Sequence, residues 1–218
     1  MARFLTATLD EFQPGGTVRL PDALVRAFYV VSGTVNFDGP GVAASLPANA
    51  AIAAREALTT TARPAAQVIR WELGDRSNTA TGDCTDVTSR LLLSAPIALD
   101  EAASYLLRCD RVDFPSGGEA LLHTHQGGGI RCLLFGEIRI ESGGNTDTYQ
   151  PLEAWFESGS EPVYAATSQS GPSAFARLMF LPPDLKGKSS IRYVRDEDKS
   201  RPKSQSYQVF LDHPVSIS

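Results

Sequence analysis

Histidine is scarce in this chain, three residues in 218. Chemistry that needs imidazole is therefore confined to His123 and His125, one residue apart, and to the distant His213. Cysteine is as scarce: Cys84, Cys109 and Cys132 are odd in number, widely spaced and form no Cys-x-x-Cys pair, which argues against a disulfide framework or a zinc knuckle. No apolar run approaches the ~20 residues that span a bilayer. No long basic run occurs and the net charge is −5, so neither nucleic acid nor an anionic membrane is expected as a partner. No Gly-x-Ser-x-Gly elbow is present, and the glycine run 127–129 lacks a Gly-Lys-Ser/Thr ending and leads into a strand, which removes the phosphate-loop reading and predicts a tight, mobile turn. The opening MARFLTATLDEF has one arginine, an early acidic pair and no sustained apolar core, so it does not read as a secretory leader, and a reducing cytoplasm is the expected setting.

Strand signals dominate what is present. AFYVVSGTVNF (27–37) is an apolar run, a glycine turn and then alternation, and IRCLLFGEIRIE (130–141) repeats that order. RVDF (111–114), AFARLMFL (174–181) and IRYV (191–194) are further short strands separated by Gly, Pro, Ser and Asn. Helical periodicity is scarce, and PIALDEAASYLL (96–107) fits either a short helix or a strand. Aligning Gly33 with Gly136, an offset of 103, brings Val30 to Leu133, Val31 to Leu134, Val35 to Ile138 and Phe37 to Ile140. LPANAAIAA (46–54) resembles QPLEAWFES (150–158) at nearly the same offset. Two matches at one period predict a duplicated all-β unit of about a hundred residues. The polar stretch 74–89 reads as the link between the copies. The expected organisation is a first unit over 1–75, a linker over 76–95, a second unit over 96–185 and an extension over 186–218 that packs on a barrel or on a partner subunit.

The stretch PSGGEALLHTHQGGGIRCLLFGEIRIE (115–141) resembles the first motif of the cupin superfamily, with Gly117, His123, His125 and Gly136 in matching places. YQPLEAWFESGSEPVYA (149–165) stands where the second motif belongs, with Pro151, Leu152 and Glu153 in place of Pro-Gly-Asp. The resemblance covers about 105–182 well and 15–73 through the repeat. It implies a bicupin: two antiparallel jelly-roll barrels in tandem, with one divalent transition metal (Fe, Zn, Ni, Mn or Cu) on the His-x-His pair. The residues give the physical reason. Strand side chains alternate, so His123 and His125 face one side, and Leu121 and Glu119 are expected to share it. Neutral imidazole suits such ions.

The chain departs from the family pattern at two ligands. The glutamate position falls on Gly129 and the third histidine near Val163. Glu157 is the leading substitute as ligand or base, with Glu119, Glu161 and Gln126 nearby in sequence; His213 lies far from the motif. Arg131 has inward parity, and a buried arginine needs a carboxylate or phosphate. Two readings stay open for it: an anionic ligand, or an internal pair with Glu157. Trp155, Phe156 and Tyr164 are candidate pocket walls or plain core. Cys132 has the opposite parity and is expected to pack inertly.

Under the leading expectation His123 and His125 hold metal, Arg131 and Glu157 act on substrate, and Gln126, Trp155 and Tyr164 contact it. Together they make a metal-dependent enzyme of dioxygenase, decarboxylase, isomerase or hydrolase type, acting on a small anionic or oxygenated molecule. The alternatives are a non-catalytic module binding a small carboxylate, or a structural partner. The first unit, with Leu20 and Asp22 where the histidines would fall, is expected to hold no metal. Exposed barrel edges lead us to expect a homodimer.

Overall fold

The computed structural model describes residues 3–75 and 82–217. The chain divides into two compact units, Met1–Ala103 with Ile217–Ser218, and Ser104–Ser216. Every ladder described is antiparallel. Among the described residues no helix is long and apolar enough to cross a membrane.

The first unit holds β1 (Arg3–Leu20), β2 (Val25–Ser32), β3 (Thr34–Gly39), β4 (Val42–Pro47), β5 (Ala50–Ala53), β6 (Leu58–Ala62), β7 (Ala66–Gly74) and β8 (Cys84–Ile97). They form one sheet in the order β4-β3-β6-β1-β7-β2-β5, with β8 along the other side of β1. Along the edge opposite β8, β1 serves two ladders: Phe4–Phe12 face β7 and Thr17–Leu20 face β6. Gln13-Pro14-Gly15-Gly16 falls between them, where a proline and a positive-φ glycine bend the strand. The apolar interior gathers Phe12, Val18, Phe28, Val30, Val35, Phe37 and Val68.

The second unit holds β9 (Ser104–Phe114), β10 (Glu119–His125), β11 (Gly129–Phe135), β12 (Ile138–Ser142), β13 (Asn145–Tyr149), β14 (Ala154–Glu157), β15 (Val163–Thr167), β16 (Ser173–Leu181), β17 (Ile191–Tyr193) and β18 (Ser206–Ser216). Two five-stranded sheets result, β13-β12-β15-β10-β17 and β14-β11-β16-β9-β18. Their inward residues Val112, Phe114, Leu133, Ile138, Ile140, Trp155 and Phe175 make the core.

The repeat extends to single hydrogen bonds. Asn49 and Leu152 stand 103 apart and both have positive φ, 62° and 64°. Asn49 N–H donates to Val30 O and Leu152 N–H to Leu133 O, both at 2.8 Å, and these acceptors are again 103 apart. Gly33 and Gly136 share a left-handed φ, and a Cβ at either would lie within 2.4 Å of a neighbouring atom, so both hairpins require glycine.

The expected linker differs from what forms. Residues 84–97 are β8, paired with β1 from Val18 back to Arg3, and the first unit runs on to Ala103. β8 is exposed over half of its length, so its outward Thr85, Asp86 and Thr88 made a strand look like a tether. Residues 76–81 of that expected linker lie outside the described residues. The stretch 96–107 contains no helix: it closes β8, turns, and opens β9. The 186–218 stretch supplies β17 to one sheet of the second unit and β18 to the other.

The first unit buries a charge cluster in its interior. Arg70, fully buried, donates to Asp10 at 2.7 and 3.2 Å and contacts Glu72, whose other oxygen accepts from Arg26 at 2.6 Å. Ser89 donates to Asp10 at 2.6 Å. Removing one member strands the rest without water. Asp10→Ala should lower stability by about 3–5 kcal/mol in urea unfolding, whereas Asp10→Leu combined with Arg70→Met should lose markedly less; equal losses would show that the pair does not set the cost.

Candidate functional site

β10 carries His123 and His125 into the second unit's interior, 5% and 7% exposed. The strand contains a bulge: Ala120 faces Ala165 but His123 faces Val163, one residue more on β10 than on β15. The bulge corrects the parity expectation. Ala120 lines the histidine cavity, while Glu119 and Leu121 face an outer groove. Glu119 there accepts a 2.8 Å hydrogen bond from the Tyr164 hydroxyl, so Tyr164, expected at the site, is on the outer face of β15.

His123 Nδ1 lies 2.6 Å from Leu121 O. A carbonyl only accepts, so Nδ1 carries the proton and Nε2 presents a bare lone pair. His125 Nδ1 lies 3.2 Å from the Ser190 hydroxyl. The two Nε2 atoms are 3.2 Å apart and the rings stand at 88°. Burial lowers the pKa of His123, against partial opposition from Glu157. Burial drives His125 well below its ordinary value, with Arg131 and Arg177 adding to the effect. Both rings are therefore neutral near pH 7, the form that ligates metals.

Glu157 completes the group. It is the ladder partner of Gly129, so β14 delivers a carboxylate opposite the place where the family pattern has one on β11. Gly129 itself has no room for a side chain, since a Cβ there would lie 1.9 Å from Leu178 O. A Cβ at Gly127 would meet Phe180 O at the same distance, so this glycine run is packed against β16. Trp155 Nε1 donates to Glu157 Oε1 at 2.9 Å. Oε2 lies 2.7 Å from Arg131 Nη2 and 3.4 Å from His125 Nε2, yet accepts no aligned hydrogen bond from either. Those contacts are electrostatic, so Oε2 is ion-paired with Arg131 but accepts no aligned hydrogen bond in a buried site.

Arg131 is fully buried behind Glu157 and outside the cavity lining. Its Nη1 donates to Gly129 O at 2.7 Å, and burial lowers its pKa to about 10. Of the two readings open for Arg131, the structure forms the internal pair. Its ladder partner Arg177 is the arginine that lines the cavity. Its Nε and Nη2 donate to Asp110 at 2.6 and 3.0 Å. The signal was present in AFARLMFL, where an arginine at the parity of the core residue Phe175 occupies an otherwise apolar strand. Ser190 and Tyr207 carried no comparable signal.

Trp155 lines the cavity, as do His123, His125 and Glu157. Gln126 does not; its side chain accepts from Arg192. Phe156 has the outward parity of β14. Glu161 and His213 are exposed, His213 on β18 opposite Leu107. Cys132 and Cys109 are buried thiols whose pKa values burial raises.

The cavity has a volume of about 20 Å³, space for one ion or one water. Two nitrogen ligands on a first-row ion at about 2.1 Å stand about 2.9–3.4 Å apart, which the Nε2 pair matches. Among the described residues no three His, Cys, Asp or Glu side chains already stand as a closed ligand cluster. The imidazole pair, the adjoining carboxylate oxygen and the cavity size fit one divalent ion, with His123 and His125 as nitrogen donors and Glu157 Oε2 as the oxygen donor.

No protein-family model and no curated protein matches the sequence. Solved structures do resemble this one. AerE from Microcystis aeruginosa superposes with a TM-score of 0.62 at 11% identity, covering 81% of this chain and 88% of that one. Bacillus subtilis oxalate decarboxylase, a protein with Mn(II) centres, gives 0.65 at 12% identity over 91% of this chain and 73% of its own. The oxalate decarboxylase of Lactobacillus farciminis, solved as a formate complex, gives 0.63 at 10% identity over 90% and 82%. At such identities the likeness establishes fold. The chain has the all-β cupin-type jelly-roll fold, in two units.

The imidazoles set a pH dependence. Their folded pKa values lie below the unfolded value of about 6.5, so the folded chain binds fewer protons there than the unfolded one. The stability they contribute is present above about pH 6.5 and is lost as pH falls towards the folded values. Chelator-treated protein should lose more stability between about pH 7.5 and about pH 5.5 than its His123→Gln/His125→Gln variant does. Identical losses in urea unfolding would refute the depressed values.

Proposed function

We propose that the chain is a metal-dependent enzyme of cupin type acting on a small organic acid, with its centre in the second unit. One observation carries this reading. Two neutral imidazoles present Nε2 atoms 3.2 Å apart, beside a carboxylate oxygen that accepts no hydrogen bond, around a cavity of about 20 Å³. Without an ion Oε2 has only the charge contact with Arg131 and no aligned hydrogen bond; with one, all three donors are used.

His123, His125 and Glu157 would hold the ion. Once bound, it supplies a Lewis acid or a redox centre with open positions. The protein's own groups do the rest. The Leu121 carbonyl fixes the His123 tautomer and ring angle, and Ser190 orients His125, the outer support that metal-binding histidines use. Arg131 holds Glu157 in place by charge. Trp155 bonds the second carboxylate oxygen and, with Phe175 edge-on against it, closes the apolar end. Arg177 presents a cation to the same cavity, suited to the carboxylate of a substrate. The oxalate decarboxylases similar in fold act on a small acid and support this choice of substrate class. The first unit has no histidine and fills the corresponding interior with its own ion pairs, so it serves as scaffold.

Elemental analysis of untagged protein should find close to one divalent transition metal per chain, and none in His123→Ala/His125→Ala. Glu157→Gln should retain metal more weakly than wild type. Stoichiometric metal in the double variant would sink the assignment. Metal-replete wild type without metal would leave a carboxylate-binding module as the function.

A further inference from the structure

The histidine cavity, at about 20 Å³, holds an ion or a water but no organic acid. A second cavity of about 320 Å³ adjoins it, sharing Arg177, Ile191 and Tyr207 as walls. That volume lies in the range of small-ligand sites, about 300–1,000 Å³. It opens where the two sheets of the second unit end. β17 is the edge strand of one sheet and β18 of the other, and no ladder joins them. The chamber is thus a lateral mouth in the barrel wall, framed by the C-terminal stretch.

The chemistry of its lining is specific. Arg177 is 4% exposed and spends Nε and Nη2 on Asp110, while among the described residues its Nη1 has no hydrogen-bond partner. The Tyr207 ring covers the guanidinium at 5.7 Å and further fixes its plane. Arg108 is fully used: Asp212 takes Nε and Nη2, and the Lys188 and Leu185 carbonyls take Nη1 and Nη2. Asp110 and Asp212 therefore balance two of the three cations in the lining, and Lys188, exposed and without an ion pair, leaves one positive charge in excess. The apolar part consists of Ile191, Tyr207 and Val209, and the last two are among the few exposed large hydrophobics of the chain, at 44% and 51%. Such residues on a mouth are explained by a ligand that covers them.

We infer that this side chamber binds a small carboxylic acid with an apolar body. Its carboxylate lies on Arg177 Nη1, next to the histidine cavity, and its body runs along Tyr207 and Val209. Lys188 draws the anion to the opening. The inference deepens the enzyme reading by placing its substrate, and rests on that reading only for the claim that the bound acid reacts.

Benzoate and its uncharged analogue benzamide test it by calorimetric titration. Wild type should bind benzoate saturably, and benzamide at least tenfold more weakly, about 1.4 kcal/mol. Val209→Glu, on an exposed edge strand where folding tolerates it, should weaken benzoate at least tenfold with metal content unchanged, and Lys188→Glu severalfold. No saturation at millimolar benzoate, or equal affinity in Val209→Glu and wild type, overturns the chamber. So does benzoate binding lost in His123→Ala/His125→Ala but kept in Val209→Glu, which would put the acid at the histidines. Benzoate bound with the expected Val209 dependence by protein that takes up no metal supports the chamber and defeats the enzyme reading alone.

Discussion

An arginine inside a barrel has no water to face, so each must meet a carboxylate, and this requirement organises both units. Arg70 meets Asp10 across β7 and β1, and Arg26 meets Glu72 across β2 and β7. Arg131 meets Glu157 across β11 and β14, Arg177 meets Asp110 across β16 and β9, and Arg108 meets Asp212 across β9 and β18. Each pair joins neighbouring strands, so a slip in register would break it and leave charges buried alone. Breaking such a pair costs far more than the pair gains over an apolar replacement, and its structural value here is to fix register and orientation.

The candidate site is assembled from these pairs. Trp155 holds Glu157 by Oε1 and Arg131 by Oε2, which sets Oε2 3.4 Å from His125 Nε2 without an aligned hydrogen bond. Arg177 is held by Asp110 along one edge and lines both cavities. A structural demand thus fixes both side chains. The same backbone supports a different interior in the first unit, where Arg26 occupies the position aligned with Gly129 and the ion pairs close on one another.

The C-terminal stretch is integral to the second unit. Without β17 and β18 both sheets would end one strand sooner, and Ser190, which orients His125, would be missing. The mouth exists because the two added strands do not pair with each other.

The sequence by itself determined the all-β class, the two-fold repeat, the glycine-centred hairpins and the inward-facing histidine pair. These rest on local physics: period-two alternation, turns that admit only glycine, and a fixed offset between copies. Arg131 as a buried charge and Glu157 as its partner were legible too, because parity and the aversion of charge to an apolar interior are local rules. Only the tertiary structure decided what depends on pairing between distant strands. A bulge in β10 turned Glu119 and, with it, Tyr164 out of the site. Register placed Glu157 opposite Gly129 and Arg177 beside Arg131. β8 became a strand because β1 offered it an edge, although its own polar residues resemble a linker. The lateral chamber is set by where two sheets fail to meet, a distance between chain segments that no local pattern encodes.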